Sequence, residues 1–265
     1  MEIPKFGIGT YKLSSNDTYA SIIESIKLGF RHFDTASLYR NEEAVGRAIN
    51  LMISEGTVSR SDIFVTTKVW IKEMNEGPCS ITESVRNSLK RLDIGYIDLV
   101  LLHGPYNIVD SWETLEELDR ELVRKIGVSN FNISELSLLL ENCKIVPYTN
   151  QIELSIFLPR CELVEFCKVR GIIVTAHTYL ARGTVLEDSS VIELGKRYGN
   201  IVRVLVAYAK SKNYVVLFTS KSREHLLELY KEIDSDTKLS DSDILLLDKI
   251  HEDTSITYFK NYSKN

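Results

Sequence analysis

The sequence predicts a single α/β domain over residues 1–265, a closed (β/α)8 TIM barrel with its functional groups at the C-terminal face of the strands. Three observations point there. Eight short β-type runs alternate with helical patterns. Several of the runs are continuously apolar, as parallel strands covered on both faces require. No linker, low-complexity tract or composition break divides the chain. A length of 265 residues and a hydrophobic share of 44% suit one such unit. The rival is an open doubly wound sheet, whose dinucleotide-binding version needs GxGxxG at a strand-to-helix turn. The only GxG here is Gly7-Ile8-Gly9, with Lys12 where the third glycine would fall, so that reading fails.

The first strand is expected at Phe6–Thr10. ASIIESIKLG follows as a helix, with Ile22, Ile23 and Ile26 on one face and Gly29 as its stop. A second strand at Arg31–Asp34 leads to NEEAVGRAINLMISEG, where Val45, Ala48, Ile49 and Met52 recur at helical spacing before Gly56. After a third strand at Ile63–Lys68, SITESVRNSLKRL aligns Ile81, Val85, Leu89 and Leu92, with Ser80 as the expected cap and Glu83 three residues on. The fourth and fifth strands are expected at Ile97–His103 and Lys125–Ser129, the latter followed by helical NISELSLLLENC. The sixth, Tyr148–Glu153, precedes helical CELVEFCKVRG. The seventh, Ile172–Thr178, precedes NIVRVLVAYAKSKN, a helix candidate whose valines weaken the pattern. The eighth is expected at Val215–Thr219.

A net charge of −5 argues against a general binder of nucleic acid or membrane surfaces, which needs a basic face. An anionic ligand would need cations placed locally. No apolar run approaches the roughly 18 residues of a membrane span. The start, MEIPKFGIGTY, lacks the basic-then-apolar layout of a secretory signal. Cys79, Cys143, Cys161 and Cys167 form no CxxC pair and read as reduced thiols, with no metal site expected. The expected compartment is the cytoplasm.

The strand ends carry the chemistry. The second strand ends in Asp34, the third in Lys68 and the fourth in His103, while Tyr39 lies on the loop after Asp34. Singly, each has a bland reading: a helix cap, a solvated amine, a structural imidazole, a packing ring. At the same end of consecutive strands, they converge on one pocket. A tyrosine titrates near ~10 and is a poor proton donor at neutral pH. A nearby ammonium favours its phenolate, and a carboxylate beside the ammonium holds that charge in place. An imidazole can orient a substrate oxygen or relay a proton. Such a set suits carbonyl reduction, in which hydride reaches carbon and a proton reaches oxygen.

Seven segments in order resemble the aldo-keto reductase family over nearly the whole chain. FGIGTYKL resembles its opening strand, FDTASLYRNEEAVGRAI its active-site segment and FVTTKVW its lysine strand. YIDLVLLHGP resembles the histidine strand, IGVSNF and NQIE the amide-holding strands, and TSKS the cofactor-phosphate region. The resemblance implies a monomeric barrel that reduces an aldehyde or ketone with NADPH, NADH being the lesser choice. It implies Tyr39 as general acid, Lys68 and Asp34 as its tuning pair, and His103 as the group orienting the carbonyl. Ser129, Asn130 and Gln151 match the residues that hold the nicotinamide carboxamide, and they supply the donors and acceptors an amide needs. Without the family match, Ser129 and Asn130 would read as a turn or cap and Gln151 as a structural amide. Thr10, Tyr11, Thr178 and Leu180 fall in cofactor-binding segments. Lys221 and Ser222 match the 2′-phosphate pair, ahead of an expected helix start that favours an anion.

Several positions depart from the family. His177 stands where a tyrosine usually stacks on the nicotinamide, which implies looser cofactor binding, weaker still below the pKa of His177. His225 and Leu229 stand where an arginine and an asparagine are common, and Arg223 is the candidate replacement charge. Gly104 replaces a common tryptophan, which implies a broad, open pocket, with Trp70 and Tyr258 as further candidate walls. Trp112 either lines this pocket or packs a helix. Tyr258, Phe259 and Tyr262 either close over the site or anchor the terminus. A cofactor-binding regulatory barrel is the alternative function, and it leaves a tuned tyrosine without a use. A barrel lyase or isomerase would leave the NQIE and TSKS matches as accidents.

Overall fold

Eight parallel strands close on one another in chain order in a computed structural model that describes residues 1–253. They are β1 (Phe6–Gly9), β2 (His32–Asp34), β3 (Phe64–Val69), β4 (Ile97–Leu102), β5 (Val123–Ser129), β6 (Thr149–Glu153), β7 (Ile173–His177) and β8 (Val215–Phe218). Helices α1 (Ser15–Leu28) and α2 (Glu42–Ser54) follow β1 and β2, while α3 (Ile71–Glu76) and α4 (Pro78–Leu92) follow β3. Single helices α5 (Ile108–Glu116), α6 (Ile133–Asn142) and α7 (Cys161–Lys168) follow the next three strands. The pair α8 (Ser189–Tyr198) and α9 (Ile201–Ser211) follows β7, and α10 (Arg223–Asp234) and α11 (Asp241–Asp253) complete the described chain. None of the described helices is long and apolar enough to cross a membrane.

Alternation along the strands separates two apolar layers. Inside the barrel, Phe64, Leu99, Leu101 and Val215 form a small cluster with Ile3. Outside it, residues such as Val65, Val100 and Val216 join the far larger layer beneath the helices. The period of two then places Thr66 and Lys68 on the inner face with Phe64, and Asp34 on the inner face with His32. Parallel register carries these ends to one rim: Gly9 pairs with Asp34, Asp34 with Thr66, and Ser129 with Gln151.

All eight expected strands form, with ends displaced by one or two residues. Thr10 and His103 lie just beyond β1 and β4, yet their amides still pair with the carbonyls of Asp34 and Val69 at 2.9 and 3.0 Å. Thr178 and Thr219 also fall past their strands. Ser80 is not a cap. Pro78 opens α4 after Gly77, because proline's missing N–H costs nothing in a first turn, and the Ser80 hydroxyl donates to Glu76 at 2.8 Å. The valine-rich segment does form α9, because Val204, Leu205 and Val206 are buried and packing overrides propensity. Helices α3, α5, α8 and α11 have no counterpart in the sequence reading. Trp112 lies on α5, buried, with its indole N–H donating to Glu116 and to the Ile145 carbonyl, so it packs a helix. Tyr258, Phe259 and Tyr262 fall outside the described residues.

Gly46 sits inside α2 where the carbonyl end of α4 crosses it. A Cβ there would collide with the backbone of Leu92. Replacing it with alanine gains helix propensity but forces two helices apart. Gly46→Ala should therefore destabilise the fold by at least about 2 kcal/mol. Equilibrium denaturation checks this, and an unchanged midpoint would refute the close approach.

Candidate active site

Lys68 is 1% exposed, a position where an ammonium is tolerated only if its donors are met. Its Nζ donates to Asp34 Oδ1 at 2.5 Å and to the Thr35 carbonyl at 2.9 Å, and lies 3.4 Å from the Tyr39 hydroxyl. Burial pulls the Lys68 pKa below its ordinary value, and Asp34 acts against that shift. The second carboxylate oxygen of Asp34 accepts from Gln151 Nε2 at 2.7 Å, from the far side of the barrel. Tyr39 closes a 3-10 turn at Ser37–Tyr39, immediately before Arg40 at φ 57°. The Ser37 hydroxyl fastens that turn by donating to the Lys68 carbonyl at 3.0 Å. An acid, an amine and a phenol thus form one connected group, as the strand ends implied.

His103 completes it. Its ring centroid is 5.8 Å from that of Tyr39 and 5.0 Å from that of Trp70, both edge-on. Burial, followed by Lys68 and His177, holds its pKa well below the usual histidine range, so the ring is neutral. Its Nδ1 is buried with no hydrogen-bond partner. A buried lone pair without a partner costs less than a buried N–H without one, which places the proton on Nε2. His103 therefore presents a donor to the cavity it lines.

A second wall carries amides. Ser129 Oγ donates to the Gln151 carbonyl at 2.9 Å, and Asn130 Nδ2 donates to Ser129 Oγ and to the His103 carbonyl at 3.0 Å each. These bonds fix the Asn130 amide with Oδ1 toward His177 Nε2, 3.2 Å away. That nitrogen must carry the ring proton, and Nδ1 accepts from the Thr178 hydroxyl at 3.0 Å. Burial, then Lys68 and Arg160, push the His177 pKa down to about 3. The expected weakening of cofactor binding on protonation of His177 therefore has no place near neutral pH. Asn130 and Thr178 hold φ at 63° and 58°, a strained region for a β-branched residue.

The cavity over these groups measures 580 Å³. Asp34, Tyr39, His103, Trp70, Tyr11, Ser129, Asn130, Gln151, His177, Thr178 and Leu180, all singled out in the sequence, line it. Lys68 and Thr10 are buried outside the lining. Gly104 is buried outside the lining. Sequence reasoning missed Lys12, Leu38, Tyr179 and Arg182. Lys12, directly after Tyr11, was the signal available, since a cation there answers the need for local positive charge. Arg182 gave no comparable sign, because its place depends on the left-handed turns at Ala181 and Arg182.

The other expected cofactor residues lie beyond this cavity. Ser222 caps α10 by accepting from the His225 amide at 3.3 Å, while its hydroxyl donates to Glu224 at 2.8 Å. Arg223 pairs with Glu24 at 2.9 Å, and Lys221 and His225 are exposed. Leu229 is buried in α10, where an asparagine would need a partner. The donor set fits a dinucleotide: amides for a carboxamide at the barrel centre, Lys12 and Arg182 at the mouth, and a capped helix start beyond.

A sequence profile described as the Aldo/keto reductase family matches residues 5–252. The chain is 34% identical over 265 residues to an aldehyde reductase of Saccharomyces cerevisiae, covering 86% of this chain and 82% of that one. It is 32% identical over 260 residues to a glyoxal reductase of Bacillus subtilis, covering 97% and 92%. The fold superposes with a TM-score of 0.89 on a crystal structure of an aldo-keto reductase complexed with NADPH, at 29% identity, covering 100% of this chain and 91% of that one.

Two buried histidines, His32 and His103, and the half-buried His177 make the fold sensitive to acid. Burial takes His32 and His177 down to about 3 and holds His103 well below its ordinary value of 6.5. An unfolded chain takes up these protons near 6.5 and the folded chain does not. Their stabilisation is thus complete above that pH and is lost as pH falls toward 3. Stability should decline by about 1.4 kcal/mol per pH unit for each histidine involved. Denaturation midpoints at pH 7, 6 and 5 test this, and His177→Tyr should show the shallower decline.

Proposed function

The chain belongs to the aldo/keto reductase family, and on that basis we propose the roles of its residues in catalysis. It is an NADPH-dependent oxidoreductase acting on carbonyl groups. NADPH, when bound, supplies hydride to the carbonyl carbon. The proton must come from the protein. Tyr39 gives its phenolic proton to the carbonyl oxygen, and Lys68, 3.4 Å from that hydroxyl, stabilises the phenolate left behind. Asp34 keeps the ammonium charged and in place through the 2.5 Å contact. His103, neutral and protonated on Nε2, donates a hydrogen bond that orients the same oxygen. The Lys68–Tyr39 contact, made by a buried lysine, carries this reading.

Ser129, Asn130 and Gln151 hold the nicotinamide carboxamide. Gln151 has committed one N–H to Asp34, so its carbonyl and its second N–H are the groups it offers. Lys12 and Arg182 take the diphosphate charge at the mouth of the cavity. Lys221, Ser222, Arg223 and His225 take the adenosine 2′-phosphate, which requires Arg223 to part from Glu24. The substrate is a small aldehyde or ketone, entering past Tyr11, Leu38 and Trp70 into a broad pocket. We place the protein in the cytoplasm as a monomer, consistent with its four free cysteines. Nothing in the described site favours a regulatory subunit.

Tyr39→Phe tests the assignment. NADPH oxidation with a panel of aldehydes, ketones and sugars should fall by about 100-fold or more in kcat. Cofactor binding, followed by protein fluorescence, should stay close to that of the parent. Full turnover in the variant would overturn the role of Tyr39.

A further inference from the structure

Asn41 occupies the cap position of α2, where an asparagine ordinarily accepts from a first-turn amide. Here it makes no such bond. Its side chain turns inward and is spent elsewhere. Nδ2 faces the carbonyls of Thr10 and Leu13 at 2.9 and 3.3 Å and the Thr18 hydroxyl at 3.1 Å. Oδ1 accepts from the Thr35 hydroxyl at 2.9 Å and shares the Thr10 hydroxyl, 3.2 Å away, with the Asp34 carbonyl at 3.1 Å. The carbonyl partners can only accept, which fixes the orientation of the amide. Asn41 and the three threonines are all 1% exposed or less.

These partners lead to the reacting groups by short routes. Thr35, whose hydroxyl bonds Asn41, offers its carbonyl to Lys68 Nζ. Thr10 donates its amide to the Asp34 carbonyl at 2.9 Å. Tyr11, next to Thr10, lies with its ring centroid 5.0 Å from that of Tyr39. Tyr39 itself is two residues before Asn41. The contacts therefore close a ring: Tyr39 to Asn41 along the chain, Asn41 to Thr35, Thr35 to Lys68, and Lys68 to Tyr39.

We propose that Asn41 is a positioning residue for proton transfer, setting the separation between Lys68 Nζ and the Tyr39 hydroxyl by tying Thr35 and Thr10 to the segment that carries the tyrosine. This rests on the roles given above to Tyr39 and Lys68. A buried amide serving only the fold would act equally through each of its partners. A positioning amide acts through Thr35, which touches the lysine, and not through Thr18, which lies on α1 and is joined to neither group by any bond in this ring.

Asn41→Ala, Thr35→Val and Thr18→Val separate the two cases. Thr35→Val keeps the carbonyl that Lys68 needs and loses only the hydroxyl, so the Thr35→Val and Thr18→Val pair decides the matter even if Asn41→Ala does not fold. Three readouts are required: thermal melting, titration of ¹³Cζ-labelled tyrosine in the free protein with the Tyr39 resonance assigned from Tyr39→Phe, and the deuterium isotope effect on kcat with 4-deuterated NADPH. Both valine variants should melt earlier. Only Thr35→Val and Asn41→Ala should shift the Tyr39 titration and lower kcat by about 10- to 100-fold, with a larger isotope effect as chemistry becomes limiting. Thr35→Val with the parent titration and isotope effect would overturn the proposal, as would Thr18→Val moving both as far as Thr35→Val does. Full turnover in Tyr39→Phe would instead remove the catalytic roles on which the proposal rests, and the free-protein titration would still report whether Asn41 governs the surroundings of Tyr39.

Discussion

Lys68 and Asp34 meet at the upper end of the barrel interior, where neither charge reaches bulk water. Removing an ammonium and a carboxylate from water costs several kcal/mol for each ion, and their attraction offsets this only when the remaining polar atoms are also met. Here they are. The lysine has Asp34, the Thr35 carbonyl and the Tyr39 hydroxyl; the aspartate has Lys68 on one oxygen and Gln151 on the other. An apolar pair of similar volume would fill the same space at lower cost. What the arrangement adds is a charge 3.4 Å from a phenol in a low-dielectric site, where a charge acts most strongly.

The barrel supplies what such a pair demands. Closure leaves no strand edge open, and parallel register brings eight strand ends to one rim. Alternation then turns Asp34, Lys68 and Gln151 inward from three separate strands. Around them, short segments are tied rather than left to thermal motion. Ser37 bonds the backbone beneath Lys68, and Asn41 binds the first loop and first helix to the tyrosine turn. Outside the sheet, Glu42 accepts from the Thr67 hydroxyl and pairs with Arg91, while Gly46 admits the end of α4. One stretch of chain therefore delivers the acid, the phenol and the residues that anchor both.

Charge is handled locally. A chain of net charge −5 places Lys12 and Arg182 in the lining of its cavity and keeps His32, His103 and His177 neutral. Neutrality suits each of them. A charged ring at His103 would face Lys68, and a charged ring at His177 would face the same lysine and Arg160. The histidine at position 177 is thereby an uncharged, hydrogen-bonded plate beside Asn130, and its proton is fixed by the orientation of the neighbouring amide.

Much of this was legible in the residues themselves. Short apolar runs and period-3.6 patterns located all eight strands and most of the helices around them, because burial on one or both faces leaves a mark that depends on local spacing alone. Asp34, Lys68 and His103 stood at strand ends, and barrel geometry assigns strand ends to one face. Other features had no local mark. Ser80 looks like a cap and is not, since Pro78 begins the helix earlier; Asn41 looks like a cap and spends its amide on partners as far as 31 residues away. Trp112 was open to two readings until α5 buried it, and Arg182 reaches the cavity only through two left-handed residues. Sequence alone determined the architecture and which polar side chains stand at the strand ends, because both follow from short-range pattern. Only the tertiary structure decided protonation, orientation and which polar side chains serve the site, because those depend on neighbours brought together by closure of the barrel.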